Sequence, residues 1–333
     1  MSTAAAPALL IAIDTEGDNQ WSVDARRNQT FENIYALERL HAFFARHEVR
    51  PTYVVTYPVA RDPRSARILR ALQSHGDCEI GAHHHVWETP PCSPEDLVKH
   101  AYALSLPLEQ FDAQLASLTD AVSDAAGERP TSYRSGRFGF AAAHVSSLER
   151  QGYLVESSVA PLLYEAHKHG PDFVDAPLTP YYLSYDSATH AGSSRLLELP
   201  ISAALDRRVP LWLQRWYGRM PSPYMTKRML RLLRIAEVRW LRPSYSSAEQ
   251  MMSLAGQLVQ RGVPILNLLF HSSEAIAGGS PYNRTQSDLE AFFDRLARFL
   301  VFARTELGAE PLTFSEYRTR YARESATRSP GTA

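Results

Sequence analysis

Seven short apolar runs punctuate the chain: ALLIAI before Asp14, TYVVTY from Thr52, CEIGA before His83, TSYR ending at Arg134, YLVESS from Tyr153, LLELPI from Leu196 and VPILNLLF before His271. Their length and their β-branched and aromatic content mark buried strands. Helical patterns lie between them. The clearest is QSDLEAFFDRLARFLVFARTEL, where Leu289, Phe292, Phe293, Leu296 and Phe299 recur at three- and four-residue spacing along one core-facing stripe. Ser287 or Asp288 is expected to cap its start. Strands alternating with helices imply βα units and a largely parallel sheet. Seven candidate strands suit a closed or nearly closed barrel better than an open sheet. No repeat or linker interrupts the pattern, so one α/β domain over residues 1–325 is expected. The last residues, SATRSPGTA, are small, polar and Pro/Gly-bearing, and 326–333 read as a disordered tail.

The ends of the runs matter more than their number. Asp14, His83, Arg134 and His271 each stand at or just beyond the carboxyl end of a predicted strand. In parallel βα architectures the βα loops converge on that edge and carry the active site. Four chemically active side chains from distant segments are therefore expected in one cleft.

In AIDTEGDN, Asp14, Glu16 and Asp18 lie two apart as the strand enters a turn at Gly17. Alternate residues of an extended chain share a face, so two or three of these carboxylates can point into one pocket. Such convergence raises carboxylate pKa values unless a cation neutralises the group. His83 and His85, also two apart, can present two imidazoles to one ion, with His84 pointing the other way as a structural residue. Imidazole with carboxylate suits a divalent metal, Zn2+ first, with an open position for water. Cys78 and Cys92 flank the cluster but match no zinc-knuckle spacing.

Composition narrows the class. The 333 residues are 44% hydrophobic and 21% charged with a formal net charge of −1, as for a globular protein with a large core and no call for nucleic acid. Two cysteines rule out a disulfide framework and suggest a reducing, cytoplasmic setting. The N-terminal MSTAAAPALLIAIDTEGD lacks a basic residue ahead of its apolar part and runs straight into acids, so it reads as a first strand rather than an export signal. Residues 207–242 stand apart. They hold ten Lys/Arg and one acid, Glu237, a local +9 that leaves −10 elsewhere, with Trp212, Trp216, Tyr217, Tyr224 and Trp240 interleaved. A basic helical insertion bearing tryptophan suits peripheral contact with an anionic membrane, here the inner membrane face.

The chain resembles the polysaccharide deacetylase superfamily (NodB homology, carbohydrate esterase 4), in a bacterial branch associated with surface-polysaccharide genes. IDTEGD is similar to the family's acidic motif, EIGAHHHVW to its metal-binding histidine motif, and YRSGRFGF to its Arg-containing loop. ESSV stands in place of its Asp-containing segment and LLFHSSE in place of its Leu-x-His motif. The resemblance implies a distorted (β/α)7 barrel and a metal-activated water attacking an acetamide carbonyl. Asp14 would be the general base, Arg134 its ion-pair partner, His271 the general acid and His83 a metal ligand. Two departures shape the ligand set. The family's adjacent Asp-Asp is replaced by Asp14-Thr-Glu16-Gly-Asp18, which makes Glu16 the carboxylate ligand with Asp18 as the alternative. The family's second histidine position is Trp87, so His85 substitutes. Glu156 stands where an Asp would tune the acid histidine.

An amide is a poor electrophile with a poor leaving group, so its hydrolysis needs an activated water, a site for the oxyanion and a proton for nitrogen. Backbone amides of RSGRFG are candidates for the oxyanion site, SSEAIAGGSPYN for a loop that closes over substrate, and Trp87 and Tyr282 for stacking on a sugar. The expected activity is metal-dependent removal of an N-acyl group, acetyl first, from an N-acetylated sugar or glycan of surface polysaccharide. Two alternatives stand beside it: a related C–N amidohydrolase on a small non-sugar substrate, and a catalytically silent metal- or glycan-binding protein.

Overall fold

The computed structural model describes residues 6–93, 96, 101–206, 211–220 and 237–328. All seven apolar runs form strands: β1 (Ala8–Thr15), β2 (Thr52–Val55), β3 (Glu79–His84), β4 (Ser132–Ser135), β5 (Val155–Glu156), β7 (Leu197–Glu198) and β10 (Ile265–His271). They pair in parallel in the order β10-β1-β2-β3-β4-β5-β7, and β6 (Tyr181–Tyr182) adds antiparallel to β7. β11 (Glu310–Pro311) pairs with the start of β1. Every residue of β1 is buried, as expected of a central strand covered on both faces.

The ladder stops between β7 and β10, and irregular backbone bridges the seam. Ser202 N–H donates to Asn267 O at 3.1 Å and Asn267 N–H to Ser202 Oγ at 2.9 Å. The fully buried Asn267 amide donates to Leu199 O at 2.9 Å, and Leu269 N–H donates to Leu241 O at 3.0 Å. The result is a curled, distorted barrel. Register fixes its active edge: Asp14 pairs with His271 across β1–β10, and His83 with Arg134 across β3–β4.

Three expectations about boundaries change. Helix Gln286–Thr305 carries the apolar stripe, but Thr285 caps it, accepting from Asp288 N–H at 3.2 Å while the Asp288 carboxylate accepts from Thr285 N–H at 2.9 Å. The predicted tail overlaps helix Phe314–Arg328, which is held by buried Phe314 and Tyr317 and by the Arg50–Glu316 ion pair; residues 329–333 lie outside the described residues. Most of the basic segment (207–210 and 221–236) also lies outside them. Its described part includes helix Leu211–Arg219, whose Arg215 and Arg219 pair with Asp175 at 2.6 and 2.7 Å. It ends not in helix but in β9 (Val238–Trp240), which hydrogen-bonds to β8 (Ala203–Leu205); Arg242 beyond it is buried. The short β6, β8, β9 and β11 leave no periodic trace in sequence because two or three residues cannot establish an alternation.

Candidate metal centre and catalytic site

Strand alternation aims the chemistry. Asp14 and Glu16 leave β1 on one face, and His83 and His85 leave β3 on the facing one. His85 Nε2 stands 3.0 Å from His83 Nε2 and 3.3 Å from Glu16 Oε2, and His83 Nε2 lies 3.8 Å from the same oxygen. All three side chains are buried. Donors about 2 Å from one tetrahedral ion stand roughly 3.3 Å apart, so this trio matches a single-ion cage. His83 Nδ1–H donates to Arg134 O at 3.1 Å, which leaves its Nε2 lone pair facing the cage. His85 Nδ1 stands 3.1 Å from Glu88 Oε1, in charge contact but without a hydrogen bond between them.

His84 faces away, between Tyr133 Oη at 3.2 Å and Gln114 Oε1 at 2.8 Å. The Gln114 amide in turn donates to Val86 O and Pro91 O, so His84 ties β3 to helix Leu108–Ala126. Asp18, the alternative carboxylate, stands outside this trio. It caps helix Glu32–Tyr35, accepting from Thr30 Oγ1 at 2.7 Å, Glu32 N–H at 2.9 Å and Asn33 N–H at 3.0 Å. A carboxylate takes that role because exposed helix N–H groups attract it.

Burial raises the Asp14 pKa, but Arg134, His83 and His271 outweigh it and hold the carboxyl far below the usual carboxylate range. Arg134, fully buried, donates from Nη1 to Asp14 Oδ1 at 2.7 Å and from Nε to Ser157 O at 2.7 Å. Glu16 moves the opposite way: burial, then Asp14 and Glu88, push its pKa well above normal. Two carboxylates in one dry pocket, only one with a guanidinium partner, are the arrangement a cation relieves. Burial also drives His83 well below its usual value, so it is neutral, as a ligand must be. The residues thus fit a divalent ion.

His271 closes the other side. Its Nε2 lies 3.8 Å from Asp14 Oδ2 and 3.7 Å from Glu16 Oε1. Its Nδ1–H donates to Glu274 Oε1 at 2.7 Å, an oxygen that also accepts from Arg242 at 2.6 Å, and Ser244 Oγ donates to the other oxygen. Burial raises the Glu274 pKa, but Arg242 and His271 bring it down to about 2. Sequence reading gave this tuning position to Glu156. Glu156 instead lies buried beside Glu198, accepting from Ser158 N–H at 2.9 Å. The i,i+3 spacing of His271 and Glu274 after a strand was the available signal; Arg242 had none beyond its place in a basic run.

The loops contribute less freely than expected. Ser135 N–H donates to Ser158 Oγ and Gly139 N–H to Gly136 O, so these two amides of RSGRFG are committed elsewhere. The loop after His271 is tethered, with Asn19 N–H donating to Gly279 O at 2.9 Å and Asn283 Nδ2 to Glu274 O at 2.6 Å. Trp87 packs on His85 with ring centroids 4.5 Å apart, and Tyr282 packs edge-on against Trp21 at 5.3 Å. Trp21 also meets the His271 ring edge-on at 4.9 Å. Gly136 is a steric necessity, since a Cβ there would lie 2.1 Å from His85 Cδ2. Gly136→Ala should therefore displace His85 and weaken divalent-ion affinity by about tenfold or more, read by competition with a chromogenic chelator.

A second trio, His41, Asp77 and Cys78, sits at the opposite strand ends. Tyr53 and Asp77 occupy both imidazole nitrogens, and burial pushes the Cys78 thiol up to about 12, so it offers no thiolate.

No family model matches the sequence, and no curated protein does. Solved structures match by shape. One described as a glycoside hydrolase/deacetylase from Parabacteroides distasonis aligns at TM-score 0.63 and 12% identity, covering 97% of this chain and 73% of that one. Another, described as a polysaccharide deacetylase from Mycobacterium smegmatis, aligns at 0.58 and 14%, covering 98% and 94%. The PuuE allantoinase aligns at 0.56 and 14%, covering 97% and 92%. The chain shares the distorted NodB-type barrel with these proteins.

Proposed function

We propose that this protein is a divalent-metal-dependent hydrolase that removes an N-acyl group, acetyl first, from an amino sugar of surface polysaccharide. One observation carries the reading. The Glu16–His83–His85 cage is flanked by an ionised carboxylate, Asp14, and by an imidazole, His271, each within 4.0 Å of a cage residue. Glu16, His83 and His85 would hold the ion. Bound there, a divalent ion such as Zn2+ supplies Lewis acidity, acidifying water and polarising the amide carbonyl.

The chain's own groups perform the proton transfers. Asp14 takes the proton from the attacking water, and Arg134 keeps its carboxylate ionised and aimed. His271 delivers a proton from Nε2 to the departing nitrogen, without which an amine is a prohibitive leaving group. Glu274 accepts from Nδ1–H, which fixes the tautomer and stabilises the imidazolium, and Arg242 pins Glu274.

The allantoinase shares the fold, so an amidohydrolase of small C–N substrates is the second reading. The assay that separates them uses metal-loaded protein against N-acetylated sugars and oligosaccharides, with acetate as readout, and against ureides, with ammonia as readout. Acetate release supports the proposal. Ammonia release favours the second reading, and bound metal with neither product favours a silent binding protein.

The membrane contact belongs to the same proposal. No described helix is long and apolar enough to cross a bilayer. Helix Leu211–Arg219 leaves Trp212 and Trp216 69% and 58% exposed. Co-sedimentation with anionic vesicles at low salt, lost in Trp212→Ala/Trp216→Ala, is the expected result; absence of sedimentation removes the idea.

A further inference from the structure

Two arginines near the cage have no ion-pair partner among the described residues. Arg26 is half-buried, its guanidinium 5.0 Å above the Trp87 ring, and Trp87 rests on His85. Its Nε donates to Gln20 O at 2.5 Å, and among the described residues neither terminal nitrogen has a hydrogen-bond partner. Arg137, exposed to solvent, follows Gly136, which packs against His85, and lies 5.3 Å over the Tyr102 ring. Its backbone sits in the left-handed region at φ 54°, an uncommon place for a residue with a Cβ. Among the described residues, no carboxylate comes within ion-pair distance of either guanidinium. The two are close enough to oppose each other: burial and then the charge of Arg137 lower the Arg26 pKa, while Glu16 and Glu88 pull it back.

Cations that serve stability alone are ordinarily matched with an acid or dispersed into solvent. Here Arg26 is half-buried on the Trp87 face without an ion-paired acid among the described residues, and the exposed Arg137 stands near enough to repel it, next to the glycine that packs on His85. Such an arrangement is relieved by an anion that arrives with the substrate. Resting on the reading of the site as an N-acyl hydrolase, we propose that Arg26 and Arg137 form an oxyanion subsite, so that the amino-sugar substrate carries a phosphate or carboxylate close to its N-acyl group. Guanidinium forks bind both groups bidentately, and the cage supplies the specificity for the amide.

The test is calorimetric binding to the metal-loaded full chain. The probes are N-acetylglucosamine, N-acetylglucosamine 1-phosphate and N-acetylglucosaminuronic acid, each at low and high salt. At least one charged probe should bind about tenfold or more tighter than the neutral sugar, with the advantage shrinking as salt rises, and the tighter arm identifies the anion. Arg26→Gln and Arg137→Ala should each collapse the charged-to-neutral preference by about fivefold or more, whereas exposed Arg27→Ala should keep it. Equal affinity for charged and neutral sugars, or a preference that survives both substitutions, overturns the subsite. Binding needs no turnover, so a charged preference without acetate release would count against the hydrolase reading and leave the subsite standing.

Discussion

His271→Ala keeps its divalent ion and loses turnover by about a thousandfold or more. The imidazole contributes no atom to the Glu16–His83–His85 trio, so metal affinity should be unchanged within error. Its removal is structurally mild, because Glu274 keeps Arg242 and Ser244 as partners and remains neutralised. What disappears is the donor aimed at the departing nitrogen. Glu274 keeps its Arg242 guanidinium, which favours the ionised carboxylate, so it cannot replace the lost acid. Stopped assays of acetate release, with metal content measured on the same sample, check both halves. A variant that keeps full activity removes His271 from the mechanism.

His83→Ala fails differently, losing ion and activity together. Three ligands are the minimum for a catalytic site with an open position, and removing one commonly costs several orders of magnitude in affinity; about 10^3-fold is expected here. The loss should not be rescued by raising the metal to ordinary assay concentrations. Glu16→Gln should behave alike in metal content, while Asp18→Ala should keep the ion and instead weaken the start of helix Glu32–Tyr35 by about 1 kcal/mol. Metal content after dialysis distinguishes the two carboxylates.

These contrasts show what sequence alone can carry. The seven principal strands were legible because each is an apolar run buried on both faces, and the active edge was legible because a strand's end can be read from where apolar residues give way to Asp14, His83, Arg134 and His271. The i,i+2 pairs were legible because the pleat has a period of two. Which acid faces inward was not: Asp14, Glu16 and Asp18 form one pattern, and only the turn at Gly17 brings Asp18 onto the N–H groups of Glu32 and Asn33. The partner of His271 was missed for a related reason. Glu274 reaches it through a single helical turn, and Arg242 arrives from 29 residues upstream by way of a seam that has no periodic signature.

The central claim is that strand ends build one buried divalent-ion cage from an acidic turn and two alternate histidines. Anomalous diffraction from crystals grown with Zn2+, recorded above and below the zinc edge, tests it most directly. A single strong peak bonded to Glu16 Oε2, His83 Nε2 and His85 Nε2 is expected, with Asp14 and His271 flanking it. A peak on any other residues, or none in crystals of protein that deacetylates its substrate, would contradict it.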